Sequence, residues 1–222
     1  MPNRLTRNKA KRAKIYEIPG YAQSEEFTGS AACTMMVLKY INPNFKMKKD
    51  VEFEIWNDAI GGSIWHGSKY GIAYALAKRG AKPRIISSNV KDEGYERKLA
   101  VYEGTNLDTL RASYNEIREK VKSYKITEEH KSITINTVKK ELDDGRIPIV
   151  LVNANGIDSN TDAGPQWVVV KGYDDDTFYI NDPYSNNTVA MEPHVFKSVL
   201  GYDNECHIIS VSSRRSGDIK SR

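Results

Sequence analysis

Apolar positions along this chain follow two different rhythms, one in its first two thirds and another in its last third. From Ser30 to Ile41 (SAACTMMVLKYI) Ala31, Met35 and Leu38, with Cys33, Met36 and Val37 between them, leave few polar positions, the mark of a mostly buried helix. Thr28 or Ser30 is placed to cap its first turn, and Asn42-Pro43 ends it. A second helix is expected from about Lys49 to Ala59, around Phe53 and Trp56, broken by Gly61 and Gly62. A loop carrying His66 follows, and then Tyr70 to Arg79 repeats an apolar helical pattern that Gly80 stops. Pro83 to Ser87 reads as a short strand. Leu107, Leu110, Tyr114, Ile117 and Val121 recur every three or four residues over Leu107 to Tyr124, predicting an amphipathic helix, and Ile133 to Leu142 predicts another.

Beyond Gly145 the rhythm changes to short β-branched and aromatic runs bounded by turn residues. These are Ile147 to Val152, Trp167 to Tyr173, Thr177 to Asn181 and His207 to Ser212. Asp174, Asp175 and Asp176 join two of them as a hairpin turn, because Asp tolerates left-handed backbone and bonds its own main chain. Helices first and a mainly antiparallel sheet second predict an α+β fold, with the early helices packed on the late sheet.

Composition narrows the setting. A chain of 222 residues with 39% hydrophobic content can bury one sizeable core, so one domain over residues 15–212 is expected, flanked by a disordered basic arm (1–14) and a disordered basic tail (213–222). The overall charge is +4; six positive charges in the first 14 residues and a net three in the last ten leave residues 15–212 at −5. Basic ends of this kind can touch RNA or another polyanion through Coulomb attraction and counterion release. No apolar run approaches a membrane span, no apolar stretch follows the basic start, and a cytoplasmic location is the default expectation. Cys33 and Cys206 are too few for a disulfide framework, and His66, His130, His194 and His207 stand apart with no metal-ligand spacing, so no metal and no cofactor are expected. The Asp174 to Asp176 run lacks the alternation of a calcium loop.

Three segments carry a resemblance. AQSEEFTGSAACTMMVLKYI (Ala22 to Ile41) resembles the opening motif of C39-like peptidases, members of the papain-like superfamily, in which a glutamine precedes a Thr-Cys-Gly-Pro-Ala segment and a helix. GPQWVVVKGYDDDTFYINDPY (Gly164 to Tyr184) is similar to the family's second motif, where a histidine begins a strand, Gly-Tyr-Asp reverses it and Asn-Asp-Pro closes the hairpin. Glu54 to Ala81 is similar to the Trp, Gly-rich loop and Gly-Leu-Ala helix between them, so the resemblance spans about Pro19 to Ser212 and implies a papain-like fold.

That chemistry needs a thiolate at a helix N-terminus, an imidazole base oriented by an acceptor, and an oxyanion donor. The resemblance puts Gln23 at the oxyanion-donor position and Asp182 at that of the orienting group. It puts Gly29 at the nucleophile position and Gln166 at the histidine position, so both reactive groups are replaced. What it implies is a pseudoenzyme whose remnant cleft holds a peptide or protein tail. The competing readings are a cysteine peptidase or amidase working through Cys33, one helical turn beyond Gly29, with His66 as relocated base, and a basic-armed RNA- or ribonucleoprotein-associated protein. Cys33 sits among apolar neighbours, which favours a core thiol. Trp56, Trp65, Trp167, Tyr173, Tyr179 and Tyr184 are expected mostly at the helix–sheet interface, with two or three available to line a peptide groove.

Overall fold

A computed structural model describes residues 13–60, 62, 64–88, 93–159 and 161–213. Strand β1 (Lys14–Ile15) is followed by helices α1 (Gly29–Ile41), α2 (Lys49–Ala59) and α3 (Lys69–Lys78), strand β2 (Pro83–Ser87), and helices α4 (Glu93–Tyr102) and α5 (Leu107–Ser123). Then come β3 (Glu128–His130), α6 (Ile135–Asp143), β4 (Arg146–Asn153), a short 3-10 turn, β5 (Pro165–Tyr173), β6 (Phe178–Asn181), β7 (Thr188–Met191), α7 (Pro193–Val199) and β8 (His207–Ser212).

The strands form one sheet in the order β3-β2-β8-β4-β5-β6-β7, antiparallel except where β2 meets β3. The α+β expectation holds, and the sheet's near-continuous apolar strands have a reason that early helices alone do not supply. Ile147, Ile149 and Leu151 of β4 face α1 and α3 in one core, together with Trp167 and Val169 of β5. Val150, Val152, Val168 and Val170 face the other way, into a second core closed by Val138 and Leu142 of α6 and Phe196 and Val199 of α7. Both faces are therefore covered, and strands buried on both sides lose the apolar–polar alternation of a half-exposed sheet.

β1 pairs with β5 at Gly172 and Tyr173, beyond the Pro165 to Val169 stretch that β4 occupies. Gly172 is required there, because a Cβ would lie 2.4 Å from the carbonyl oxygen of Lys14. Lys14 thus belongs to the sheet and not to a disordered arm; residues 1–12 and 214–222, which carry the rest of the basic ends, lie outside the described residues. The hairpin turn at Asp174 to Asp176 forms as expected, with Asp174 N–H donating to the Thr177 carbonyl at 2.9 Å. No helix among the described residues is long and apolar enough to cross a membrane.

His207, at the start of the interior strand β8, is 7% exposed, with its Nε2 3.7 Å from Glu205 Oε2. Burial, then the positive charges of Lys69 and His130, hold its imidazole well below the ordinary histidine range. A histidine depressed in the folded state binds its proton more readily in the unfolded chain, so its contribution to stability is complete above about pH 6.5 and shrinks as pH falls through that value. Urea unfolding should show native stability falling by up to about 1.4 kcal/mol per pH unit from this group between about pH 6.5 and 5.5, and His207→Gln should remove that share of the slope.

Candidate functional site

The cleft is built where the start of α1 meets the head of β5. The chain enters it from a segment tied to the β6–β7 connection: Gln23 N–H donates to the Pro183 carbonyl at 2.8 Å, and Asn181 Nδ2 donates to the Ile18 carbonyl at 3.0 Å. Residues 24–28 then fold into a turn held by Thr28, whose Oγ1 donates to the Glu25 carbonyl at 2.9 Å and accepts from Glu25 N–H at 3.1 Å. Thr28 is therefore spent on that turn and does not cap α1. Ser30 does not cap it either; its buried hydroxyl has no hydrogen-bond partner among the described residues. Gly29, the first residue of α1, lies at the cleft floor with its helix N-terminus uncapped by any side chain.

Gln23, Gly29 and Gln166 line one cleft of about 350 Å³, and Asp182 stands directly behind Gln166. The two halves of the sequence that carry the family resemblance thus face each other across one groove. Gln166 Nε2 donates to Asp182 Oδ1 at 2.6 Å, and the same oxygen accepts Tyr184 N–H at 3.0 Å. Asp182 Oδ2 accepts Ser185 N–H at 3.1 Å and Ser185 Oγ–H at 2.7 Å. A carboxylate that is 2% exposed is in this way satisfied by four neutral donors.

Gln23 is oriented differently from an oxyanion donor. Its Nε2 donates to the carbonyls of Glu25 and Glu26, both at 3.0 Å, and its Oε1 turns toward Gly29. A Cβ on residue 29 would lie 2.7 Å from that oxygen, so the glutamine occupies space that a side chain at 29 would need. The absence of a side chain at 29 and the folded-in glutamine fit each other.

Cys33 is fully buried and absent from the cleft walls; its Sγ donates to the Trp167 carbonyl at 3.2 Å. Burial, and then the charge of Asp182, push its thiol well above the ordinary range, which disfavours the thiolate a nucleophile requires. His66 does line the cleft, half-buried, with Nδ1 3.3 Å from Glu103 Oε2 and its ring 4.7 Å from that of Tyr102. Glu103 was not singled out by sequence. It also accepts Trp65 N–H at 2.6 Å and so fixes the loop that carries His66. Of the tryptophans, Trp167 belongs to the helix–sheet core and Trp56, half-buried, packs against it, whereas Trp65 does not. Trp56, Trp65 and Phe27 form an aromatic cluster that runs from the core edge to the surface, where Trp65 is 48% exposed, and Trp56 Nε1 donates to the Trp65 carbonyl at 2.7 Å. Trp167 and Tyr184 line the cleft. No group of three or more potential metal-binding side chains occurs among the described residues.

A buried helix pointing its N-terminus at the head of an antiparallel hairpin, with a cleft between, is the papain-like arrangement, and helices on both faces of the sheet complete it. The chain belongs to the Peptidase C39-like family, whose match covers residues 18–198. Its fold is similar to the crystal structure of a protein described as a candidate C39-like peptidase from Bacillus anthracis, at 13% identity with a TM-score of 0.51, over 94% of this chain and 100% of that one. Comparison with curated proteins gives no match.

The bonds converging on Asp182 set apart a structural hub from a dispensable partner. Asp182→Ala removes the buried acceptor of four hydrogen bonds and should cost about 2 to 4 kcal/mol by chemical denaturation, whereas Gln166→Met, removing one bond from a half-exposed side chain, should cost under about 1.5 kcal/mol.

Proposed function

We propose that this is a non-catalytic member of the C39-like fold that holds an extended peptide or protein tail in the cleft between α1 and β5. The observation that carries the reading is the pair of residues at the cleft's centre: Gly29 at the helix start and Gln166 paired with Asp182. A glycine offers no nucleophile, and a carboxamide donating to a buried carboxylate has no basicity with which to take a proton. With the amide hydrogens of Gln23 used on backbone carbonyls, each of the three parts of the acyl-transfer apparatus is without its function.

What remains is a cleft of a size that ligand sites commonly have, bordered by strand and loop backbone and by aromatic side chains. Papain-like clefts of this shape suit an extended chain, whose backbone is read by main-chain groups and whose side chains enter alternate pockets. A rival reading, with Cys33 as nucleophile and His66 as base, is opposed by their separation: His66 stands in the cleft wall, and Cys33 lies under the Trp167 backbone.

Three measurements test this. Iodoacetamide at neutral pH should leave Cys33 of the folded protein unmodified, and rapid modification there would sink the non-catalytic reading. Gly29→Cys combined with Gln166→His places a thiol at the helix N-terminus and an imidazole on Asp182. The pair should react at least about tenfold faster than Gly29→Cys alone, once Gln23 swings aside. Filling the cleft with Gly29→Phe should abolish capture of extended peptides from an immobilised array, and unchanged capture would place peptide binding elsewhere.

A further inference from the structure

The cleft is acidic in a way its surroundings do not offset. Glu26 and Asp162 line it, both exposed, and no lysine or arginine does. Neither carboxylate forms an ion pair with a described residue, unlike nearby Glu25, which meets Lys49 at 3.0 Å, or Glu103, which meets His66 at 3.3 Å. Their charge is unopposed in a region, residues 15–212, that is itself at −5. Beside them stand three partly exposed rings, Phe27, Tyr102 at 41% and Tyr184 at 54% exposure. The hydroxyl of Tyr102 is held above the ordinary tyrosine range, first by burial and then by the charges of Glu103, Tyr202 and Glu26, so the negative potential reaches the cleft wall.

Resting on the peptide-binding reading above, we propose that the cleft selects a segment bearing lysine or arginine, with Glu26 and Asp162 receiving its cations and the rings of Phe27, Tyr102 and Tyr184 lying along its side-chain stems. Carboxylates at the rim of a half-open groove act through complementarity, rejecting like charge and speeding encounter with opposite charge. Exposed aromatic faces add cation–π attraction and cover the methylenes of a long basic side chain. An acidic segment in the same groove would set like charges side by side with no lysine or arginine among the lining residues to offset them.

The test uses the full chain and three fluorescein-labelled nonapeptides of glycine and serine carrying three lysines, three glutamines or three glutamates, with binding read by fluorescence anisotropy. The lysine peptide should bind at least about tenfold tighter than the glutamine peptide at low salt, with the glutamate peptide weakest, and the gap should narrow as salt rises. Glu26→Lys with Asp162→Lys should erase the preference, Glu26→Gln with Asp162→Asn should reduce it, and Glu119→Lys, on the exposed face of α5, should leave it intact. Equal binding of the three peptides, or a preference that survives the double reversal, overturns the charge selectivity. If that equal binding is also lost in Gly29→Phe, the peptide-binding reading stands without it. Absence of binding by all three overturns both. Concentration-dependent self-association that the lysine peptide disrupts would make the occupant a second copy of this chain and replace the proposal.

Discussion

The buried carboxylate of Asp182 is the constraint on which the rest of the cleft depends. Removing a charge from water is costly unless hydrogen bonds replace the lost solvation, and here four neutral donors do so without a cation. Three of them come from the residues just after it, Tyr184 and Ser185, which fixes the path of the chain between β6 and β7. The adjacent Pro183 carbonyl can then receive Gln23 N–H, and Asn181 can hold the Ile18 carbonyl. The turn that launches α1 is thereby set against the head of β5, although more than 130 residues separate them in sequence.

Seen this way, the fourth donor is the informative one. Any side chain at 166 that donates a hydrogen can satisfy Asp182 Oδ1, and a carboxamide does so at 2.6 Å without ever carrying a proton away. A glutamine is therefore compatible with the same carboxylate geometry that would orient an imidazole. The same logic applies at residue 29. With no side chain there, Gln23 folds its oxygen over the helix start and uses its amide hydrogens to close the 24–28 turn, adding two local bonds that a bulkier residue 29 would disturb.

Much of the architecture was legible because strong periodicity marks it. The apolar run of α1, the three-and-four spacing of α5 and the hairpin around the Asp174 to Asp176 turn all appear where their patterns place them. What escaped had weak or non-local signals. β3 is Glu-Glu-His, with no apolar residue to announce it, and exists because it pairs in parallel with β2 and because Glu128 accepts from Lys69 and Tyr70. Glu103 ends an unremarkable stretch after α4, and only the folded chain brings it to His66, 37 residues earlier. Thr28 looked like a cap by position, but the Glu25 backbone competes for the same hydroxyl and wins. The direction of the Gln23 amide likewise follows from two carbonyls whose positions no local pattern encodes.

The features that decide function in this cleft are of the second kind. Residue identities at 29 and 166 speak against acyl transfer, but they say nothing of what the groove prefers. On the proposed reading, that preference comes from which charges folding leaves unpaired at the rim. Glu25 and Glu26 are neighbours in sequence and chemically alike, yet Glu25 meets a lysine of α2 while Glu26 faces the groove beside Phe27 and Tyr102. Asp162, on the loop leading into β5, closes the opposite wall without a cation of its own. On the proposed reading, a groove without nucleophile and base keeps only shape and field to discriminate among segments, so these two carboxylates and the rings beside them bear the burden of specificity.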